Sequence, residues 1–230
     1  MRTVLITGAN RGIGLGLTTR FLQQGYKVIA TCRNPDGARE LWELEHEHKE
    51  QLQLETLDIT SATSISSLAN KLDLAHGLDI LINNAGVLYG YDQTMETLNL
   101  EDLDRSLRVN LFGTIAMTQA LWPAIKRAAQ PVIANVSSRM GSIADNTSGG
   151  AYAYRISKTA LNMFVKNLAL EHPDVTCLAL HPGWVQTEMG GKGASLSVHE
   201  AAQGLYRVIS EANTSISGHF LNYKGEHIPW

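Results

Sequence analysis

Strand-like and helix-like stretches alternate along the whole 230-residue chain, which predicts an α/β fold: one doubly wound parallel sheet of about seven strands with helices on both faces. Two further observations point the same way. The run closing on Ile80-Leu81-Ile82 is continuously apolar rather than alternating, as a strand covered on both faces requires. The glycines, amides and charges that look functional follow the carboxyl ends of those runs, the edge at which open α/β sheets bind ligands. No repeat, low-complexity tract or linker interrupts the chain, so a single domain over residues 1–230 is expected, with a substrate loop near 184–199.

Thr3 to Ile6 is a short β-branched run, broken by Thr7-Gly8-Ala9-Asn10-Arg11-Gly12-Ile13-Gly14; Leu15 to Gln24 then reads as a helix ended by Gly25. Glycines where a strand hands over to a helix let backbone N–H groups close on a pyrophosphate at the helix N-terminus. By itself the turn fits a ligand-free tight connection equally well. Lys27 to Cys32 is the second strand, followed by Arg33-Asn34-Pro35-Asp36. A guanidinium at this tip suits a ribose 2′-phosphate and a carboxylate suits a 2′-hydroxyl, so Arg33, with Arg11, points to NADP(H). Asp36, beyond Pro35, is the competing reading for NAD(H).

Gly37 to Gln51 is a charged helix in which His46 and His48 point to different sides, a solvated face rather than a metal site. Leu52 to Ile59 is the third strand, with Asp58 at its carboxyl end and Thr60 or Ser61 available to cap the next helix. Leu78 to Ile82 is the fourth, ending in Asn83-Asn84-Ala85-Gly86. Leu100 to Arg127 is one or two long helices, with Asn110 in the middle and Pro123 set to kink or end the last turns. Val132 to Ser137 leads into Ser138, and Val175 to Leu180 into His181-Pro182-Gly183. Glu188 to His199 has the composition of a mobile loop over a site, His199 to Ile209 is a helix, and Gly218 to Tyr223 is the last strand.

Composition narrows the partners. The formal charge is −3, with no Lys/Arg block, which speaks against nucleic acid or an anionic membrane surface. No apolar run reaches transmembrane length and the chain enters a strand at once, so a cytoplasmic protein without a signal peptide is expected. Cys32 and Cys177 lie in apolar strands and share no metal-type spacing, as buried reduced thiols would.

The chemistry is expected in the helix from Ala151 to about His172. Residues four apart share a helix face, so Tyr154 and Lys158 point the same way. A core tyrosine beside a snorkelling lysine has the same spacing. Tyr152 has Ile156 four positions on, which supplies no charge.

Thr7-Gly8-x-x-x-Gly12-x-Gly14, Asn83-Asn84-Ala85-Gly86, Asn110, Ser138, Tyr154-x-x-x-Lys158 and Pro182-Gly183 through Thr187, in this order, resemble the short-chain dehydrogenase/reductase family from Thr3 to Trp230. His181 to Gly191 and the closing Lys224 to Trp230 resemble its C-factor and Sniffer-type carbonyl reductase branch. The resemblance implies a Rossmann-type sheet and an NADPH-dependent reductase of aldehydes and ketones, reversible as an alcohol dehydrogenase. As the runner-up it keeps open a nucleotide-binding regulatory or signalling protein, against which the complete set of Ser138, Tyr154 and Lys158 argues. It implies that Tyr154 is the general acid or base, that Ser138 holds the carbonyl, that Lys158 grips the nicotinamide ribose and that Asn110 carries a proton-relay water. For the cofactor it implies Gly8, Asn10, Arg11, Gly12, Ile13 and Gly14 at the turn; Arg33, Asp58 and Ile59 at the adenosine end; and Asn84, Ala85, Gly86, Pro182, Gly183, Val185 and Thr187 around the nicotinamide half. A homodimer or homotetramer paired through the helices bearing Asn110 and Tyr154 is also implied, with a small carbonyl or alcohol substrate against Val87, Leu88, Trp184 and Met189. The spacing from Ser138 to Tyr154 exceeds that of many members, the excess lying around Asn146 to Gly150.

A free phenol titrates near pH 10, and bringing it to roughly 7 to 8 takes about 3 to 4 kcal/mol. A unit charge about 4 to 5 Å away supplies that at an effective dielectric near 20. On this reckoning Lys158 alone nearly suffices.

Overall fold

A computed structural model describes residues 1–230. Its sheet is wholly parallel, with β1 (Thr3–Thr7), β2 (Lys27–Cys32), β3 (Leu52–Thr56), β4 (Ile80–Asn83), β5 (Val132–Val136), β6 (Thr176–His181) and β7 (His219–Asn222) in the spatial order β3-β2-β1-β4-β5-β6-β7. The winding reverses between β1 and β4, so the connections leaving these strands diverge and open a crevice at their carboxyl ends.

Strand residues alternate between two cores. Val4 and Ile6 face one side, packing with Leu17 and Phe21 of α1 (Gly12–Gln23), Leu41 of α2 (Arg39–Glu47), and Leu205 and Ile209 of α7 (Val198–Ser210). Leu5 faces the other, with Leu68 of α3 (Ala62–Lys71), Met117 and Leu121 of α5 (Thr114–Ile125), and Val165 of α6 (Tyr152–Glu171). Both faces of the central strands are thus buried, the reason Val4-Leu5-Ile6 and Ile80-Leu81-Ile82 read as unbroken apolar runs, whereas the edge strand β3 alternates as Leu52-Gln53-Leu54-Glu55. Cys32 and Cys177 lie within these cores as unpaired thiols. No helix is long and apolar enough to cross a membrane.

Several boundaries shift, each for a local reason. α2 begins at Arg39 rather than Gly37, because the Asn34 side chain accepts from Gly37 N–H at 3.3 Å and holds the preceding residues in a turn. β3 stops at Thr56, so Asp58 and Ile59 lie in the loop beyond it; Ser61 caps α3 by accepting from Ser64 N–H at 3.2 Å. The long helix from Leu100 divides into α4 (Leu100–Leu107), a π-helical turn (Arg108–Gly113) and α5. A Cβ on Gly113 would stand 2.7 Å from the Ile59 carbonyl, so this turn sits tight against the loop after β3. Asn110 lies inside the π-helical turn, a feature common at functional sites.

Ahead of α6 the backbone runs through three successive left-handed residues, Gly149 (φ 63°), Gly150 (φ 66°) and Ala151 (φ 46°). Alanine pays of order 1 kcal/mol for that conformation. The cost falls on the segment that delivers Tyr154.

Candidate active site

The turn after β1 and the turn after β4 are locked together. Thr7 Oγ1 accepts from the N–H groups of Asn84 and Ala85, both at 3.0 Å, while Asn84 Nδ2 donates to the carbonyls of Thr7 (2.9 Å) and Gly8 (3.0 Å). A Cβ on Gly8 would lie 2.9 Å from Ala85 Cα, and one on Gly14 only 2.2 Å from the Gly8 carbonyl. No side chain caps α1, and its first turn has no acidic residue, leaving its leading N–H groups for an anion. The close-packed, capless turn therefore fits the pyrophosphate of a dinucleotide.

Around it stand the other residues expected at a cofactor. Asn10, Ile13, Ala85 and Gly86 are half-buried along the crevice. Arg33 is exposed directly after β2, whereas Asp36 sits in the turn beyond, where Ala38 N–H donates to the Pro35 carbonyl at 2.9 Å. Asp58 Oδ1 accepts from Thr60 N–H (2.9 Å) and Thr60 Oγ1 (2.7 Å); these bonds, and to a smaller degree the Arg33 charge, hold its carboxyl below the usual range. Ile59 belongs mainly to the core. Pro182 and Val185 are buried, and Gly183 (φ 89°) makes the turn out of β6.

The Gly/Ser/Lys-rich segment after Glu188 is tied down more than its composition suggests. Trp184 Nε1 donates to the Gly190 carbonyl at 2.8 Å, Gln186 Nε2 to the Ala194 carbonyl at 3.0 Å, and Val185 bridges to Leu196. The loop lies over the glycine turn: a Cβ on Gly12 would stand 3.1 Å from Thr187 Cγ2. Arg11 pairs with Glu188 of this loop through two exposed side chains.

At the floor of the crevice α6 presents Tyr154 (7% exposed) and Lys158 (4%), with Ser138 (9%) opposite on the turn after β5. Ser138 Oγ accepts from Met140 N–H at 3.2 Å, which leaves its own O–H free to donate. The adjoining Ser137 is spent elsewhere, donating to Asn162 Oδ1 at 2.6 Å. Lys158 Nζ donates to the Val136 carbonyl at 2.8 Å and stands 5.7 Å from the Tyr154 ring centroid. Gly86 is caught between neighbours: a Cβ there would be 3.3 Å from Asn110 Oδ1 and 3.6 Å from Lys158 Nζ. The Asn110 amide is fully engaged, accepting from Val87 N–H and donating to the Val87 carbonyl and to Ser157 Oγ, all at 2.9 Å.

Electrostatics corrects one expectation. Burial pushes the Tyr154 phenol up to about 12, against a smaller opposing pull from the Ser138 hydroxyl, and pushes Lys158 down to about 8. The amine therefore loses its proton before the phenol, and Lys158 alone does not bring Tyr154 toward neutrality. Both groups give up water together, and that loss outweighs the attraction calculated for a solvated pair.

The shift has a measurable sign. Lys158 is depressed from 10.5 to about 8, so as pH falls through that window the unfolded lysine takes a proton that the folded one refuses, and stability declines. Below pH 8 the full penalty, about 3 kcal/mol, is in place. Urea unfolding across this window should therefore show the native protein gaining on Lys158→Met by roughly that amount as pH rises. A pH-independent difference would mean the amine is hydrated in the fold.

Fold and site together define an α/β protein of the dinucleotide-binding class. The family model described as short chain dehydrogenase matches residues 2–195, and the chain belongs to that family of oxidoreductases. It is 45% identical over 156 residues to the C-signal of Myxococcus xanthus, an overlap of 66% of this chain and 93% of that protein. Among solved structures it is similar to the NADPH-bound carbonyl reductase from chicken fatty liver (36% identity, TM-score 0.93, 100% of this chain and 99% of that one). The carbonyl reductase Sniffer of D. melanogaster is likewise similar, at 34% identity and TM-score 0.95 over the whole of both chains.

Sequence reasoning passed over Asn162 and Ser157, which hold Ser137 and Asn110 in place. A signal for Asn162 was present: an asparagine inside a helix, four residues beyond Lys158 and on the same face. Nothing in the sequence marked Gly141, where a Cβ would lie 2.8 Å from the backbone of Lys158.

Proposed function

We propose that this protein is an NADPH-dependent reductase of aldehyde and ketone carbonyls, reversible as an alcohol dehydrogenase, with Tyr154 as general acid. The observation that carries this reading is the buried set of Ser138, Tyr154 and Lys158 at the floor of a crevice rimmed by a capless glycine turn. The NADPH-bound reductase among its structural neighbours supports the choice of cofactor and substrate class.

The N-terminus of α1 with Gly8, Gly12 and Gly14 would take the pyrophosphate, Arg33 a 2′-phosphate, and Asp58 with Ile59 the adenine side. Ala85, Gly86, Lys158 and the Pro182 to Thr187 turn would hold the nicotinamide half. When bound, NADPH supplies the hydride that reduces the carbonyl carbon. Ser138 donates its free O–H to the carbonyl oxygen and steadies the charge developing there. Tyr154 passes its proton to that oxygen. Burial holds the phenol above its ordinary value, so it is protonated at neutral pH, the form that reduction needs. Asn110, its amide spent on Val87 and Ser157, would serve a proton relay through its main-chain carbonyl.

We further assign a single cytoplasmic domain, a homo-oligomer paired through the helices of Asn110 and Tyr154, and no nucleic-acid or membrane partner. The test is oxidation of NADPH with a panel of aldehydes and ketones. Turnover with at least one class is expected, and its absence across the panel overturns the reading. The likeness to a C-signal favours one alternative, a nucleotide-binding signalling protein. It predicts cofactor binding without turnover.

A further inference from the structure

The segment from Ser138 to Ser142 is gripped from two sides. On the inner side it lies against α6, where the Gly141 carbonyl accepts from Thr159 Oγ1 (3.0 Å) and Asn162 Nδ2 (3.1 Å). On the outer side it meets the last residues of the chain. Beyond β7, Asn222 Oδ1 accepts from the N–H groups of Lys224 (2.9 Å) and Glu226 (3.0 Å), turning the backbone through Gly225 (φ 87°). The returning strand bridges His227 to Leu221, and Ile228 N–H donates to the Phe220 carbonyl at 2.8 Å. The Trp230 ring then stacks on Phe220, centroids 5.5 Å apart and planes 22° off parallel.

This hairpin carries two main-chain acceptors to the serine turn. The Trp230 carbonyl accepts from the N–H groups of Ile143 (2.7 Å) and Ala144 (3.0 Å), and the Pro229 carbonyl from Ser142 Oγ (2.6 Å). Ser142, 2% exposed, also accepts from Asp145 N–H at 3.0 Å, so its hydroxyl joins the tail to the loop from both sides. Between Ser142 and Ser138 the chain is one tight 3₁₀ turn: Gly141 N–H donates to the Ser138 carbonyl at 2.8 Å and Ser142 N–H to the Arg139 carbonyl at 2.9 Å. A turn with no slack passes a displacement of Ser142 on to Ser138.

We propose that Pro229 and Trp230, acting through Ser142, are positioning residues that fix Ser138 opposite Tyr154. The hydrogen bonds that Pro229 and Trp230 accept all come from Ser142, Ile143 and Ala144 and from no crevice residue, so their effect falls on the carbonyl oxygen's partner and not on cofactor binding. The inference rests on the reductase reading of the site, and its consequence for rate follows from the sensitivity of catalysis to misplacement: a shift of about 1 Å in a reacting group costs up to about 10²-fold.

The experiment compares the full chain with a variant lacking Pro229 and Trp230, with Ser142→Ala, and with Trp230→Phe, which keeps both carbonyls and a stacking ring. Carbonyl reduction, NADPH affinity and amide hydrogen exchange at Met140 to Ala144 are measured on each. Truncation and Ser142→Ala should lower kcat about 10-fold or more, with the NADPH dissociation constant held within about 2-fold, while Trp230→Phe stays near the full chain. Exchange should quicken at Met140 and Gly141 as well as at Ile143 and Ala144. Truncated and Ser142→Ala chains that match the kcat of a full chain that turns over, or faster exchange confined to Ile143 and Ala144, overturn the proposal. If the full chain has no turnover, the reductase reading fails, and exchange at Met140 and Gly141 still decides whether the tail holds the serine turn. Should the truncated chain not fold, Ser142→Ala carries the same measurements.

Discussion

Tyr154→Phe is expected to lower kcat by 10²- to 10⁴-fold and to leave NADPH affinity nearly unchanged, because it deletes the proton donor and almost nothing else. The ring stays on α6 with its packing intact, and the change removes only the phenol oxygen beside Ser138. Both parts matter, since loss of turnover with loss of cofactor binding would describe a collapsed site rather than a missing acid. Single-turnover reduction with prebound NADPH separates them by reading chemistry free of binding and release. Retention of more than about a tenth of kcat would remove Tyr154 from the role.

Arg33→Ala is expected to weaken NADPH by roughly 10- to 150-fold and to leave NADH little changed, the range following from a charge-assisted hydrogen bond of about 1.5 to 3 kcal/mol. Sequence alone divided this preference between Arg33 and Arg11. The structure separates them: Arg11 is paired with Glu188, whereas Arg33 has no carboxylate within ion-pair reach and stands at the β2 tip facing the Asp58 side of the crevice. A ligand phosphate must compete with Glu188 for Arg11 but meets Arg33 uncommitted. Titrating both cofactors into both proteins distinguishes the outcomes. Equal losses for NADPH and NADH would make Arg33 a structural residue, and tighter NADH binding by the unmodified chain would move the ribose contact to Asp36.

The sheet, and the gathering of glycines, amides and charges at the carboxyl ends of its strands, were legible because both rest on local chemistry. Continuous apolar runs determine strands buried on both faces, glycines at a strand-to-helix junction determine a turn into which backbone can close, and a four-residue spacing in a helix determines that Tyr154 and Lys158 share a face. Alternation of the elements was enough for a parallel sheet of seven strands. What tertiary structure alone decided are contacts between residues far apart in the chain. Asn110 was visible as an oddity, but its π-helical turn and its grip on Val87 and Ser157 arise where three segments meet. Arg11 with Glu188, and Ser142 with Pro229, join positions 177 and 87 residues apart, and no periodicity encodes such pairs. The protonation of the site was hidden for the same reason. Spacing placed an ammonium near a phenol, but whether charge attraction or loss of water prevails depends on how completely the surrounding elements bury both, and the fold buries them enough for desolvation to win.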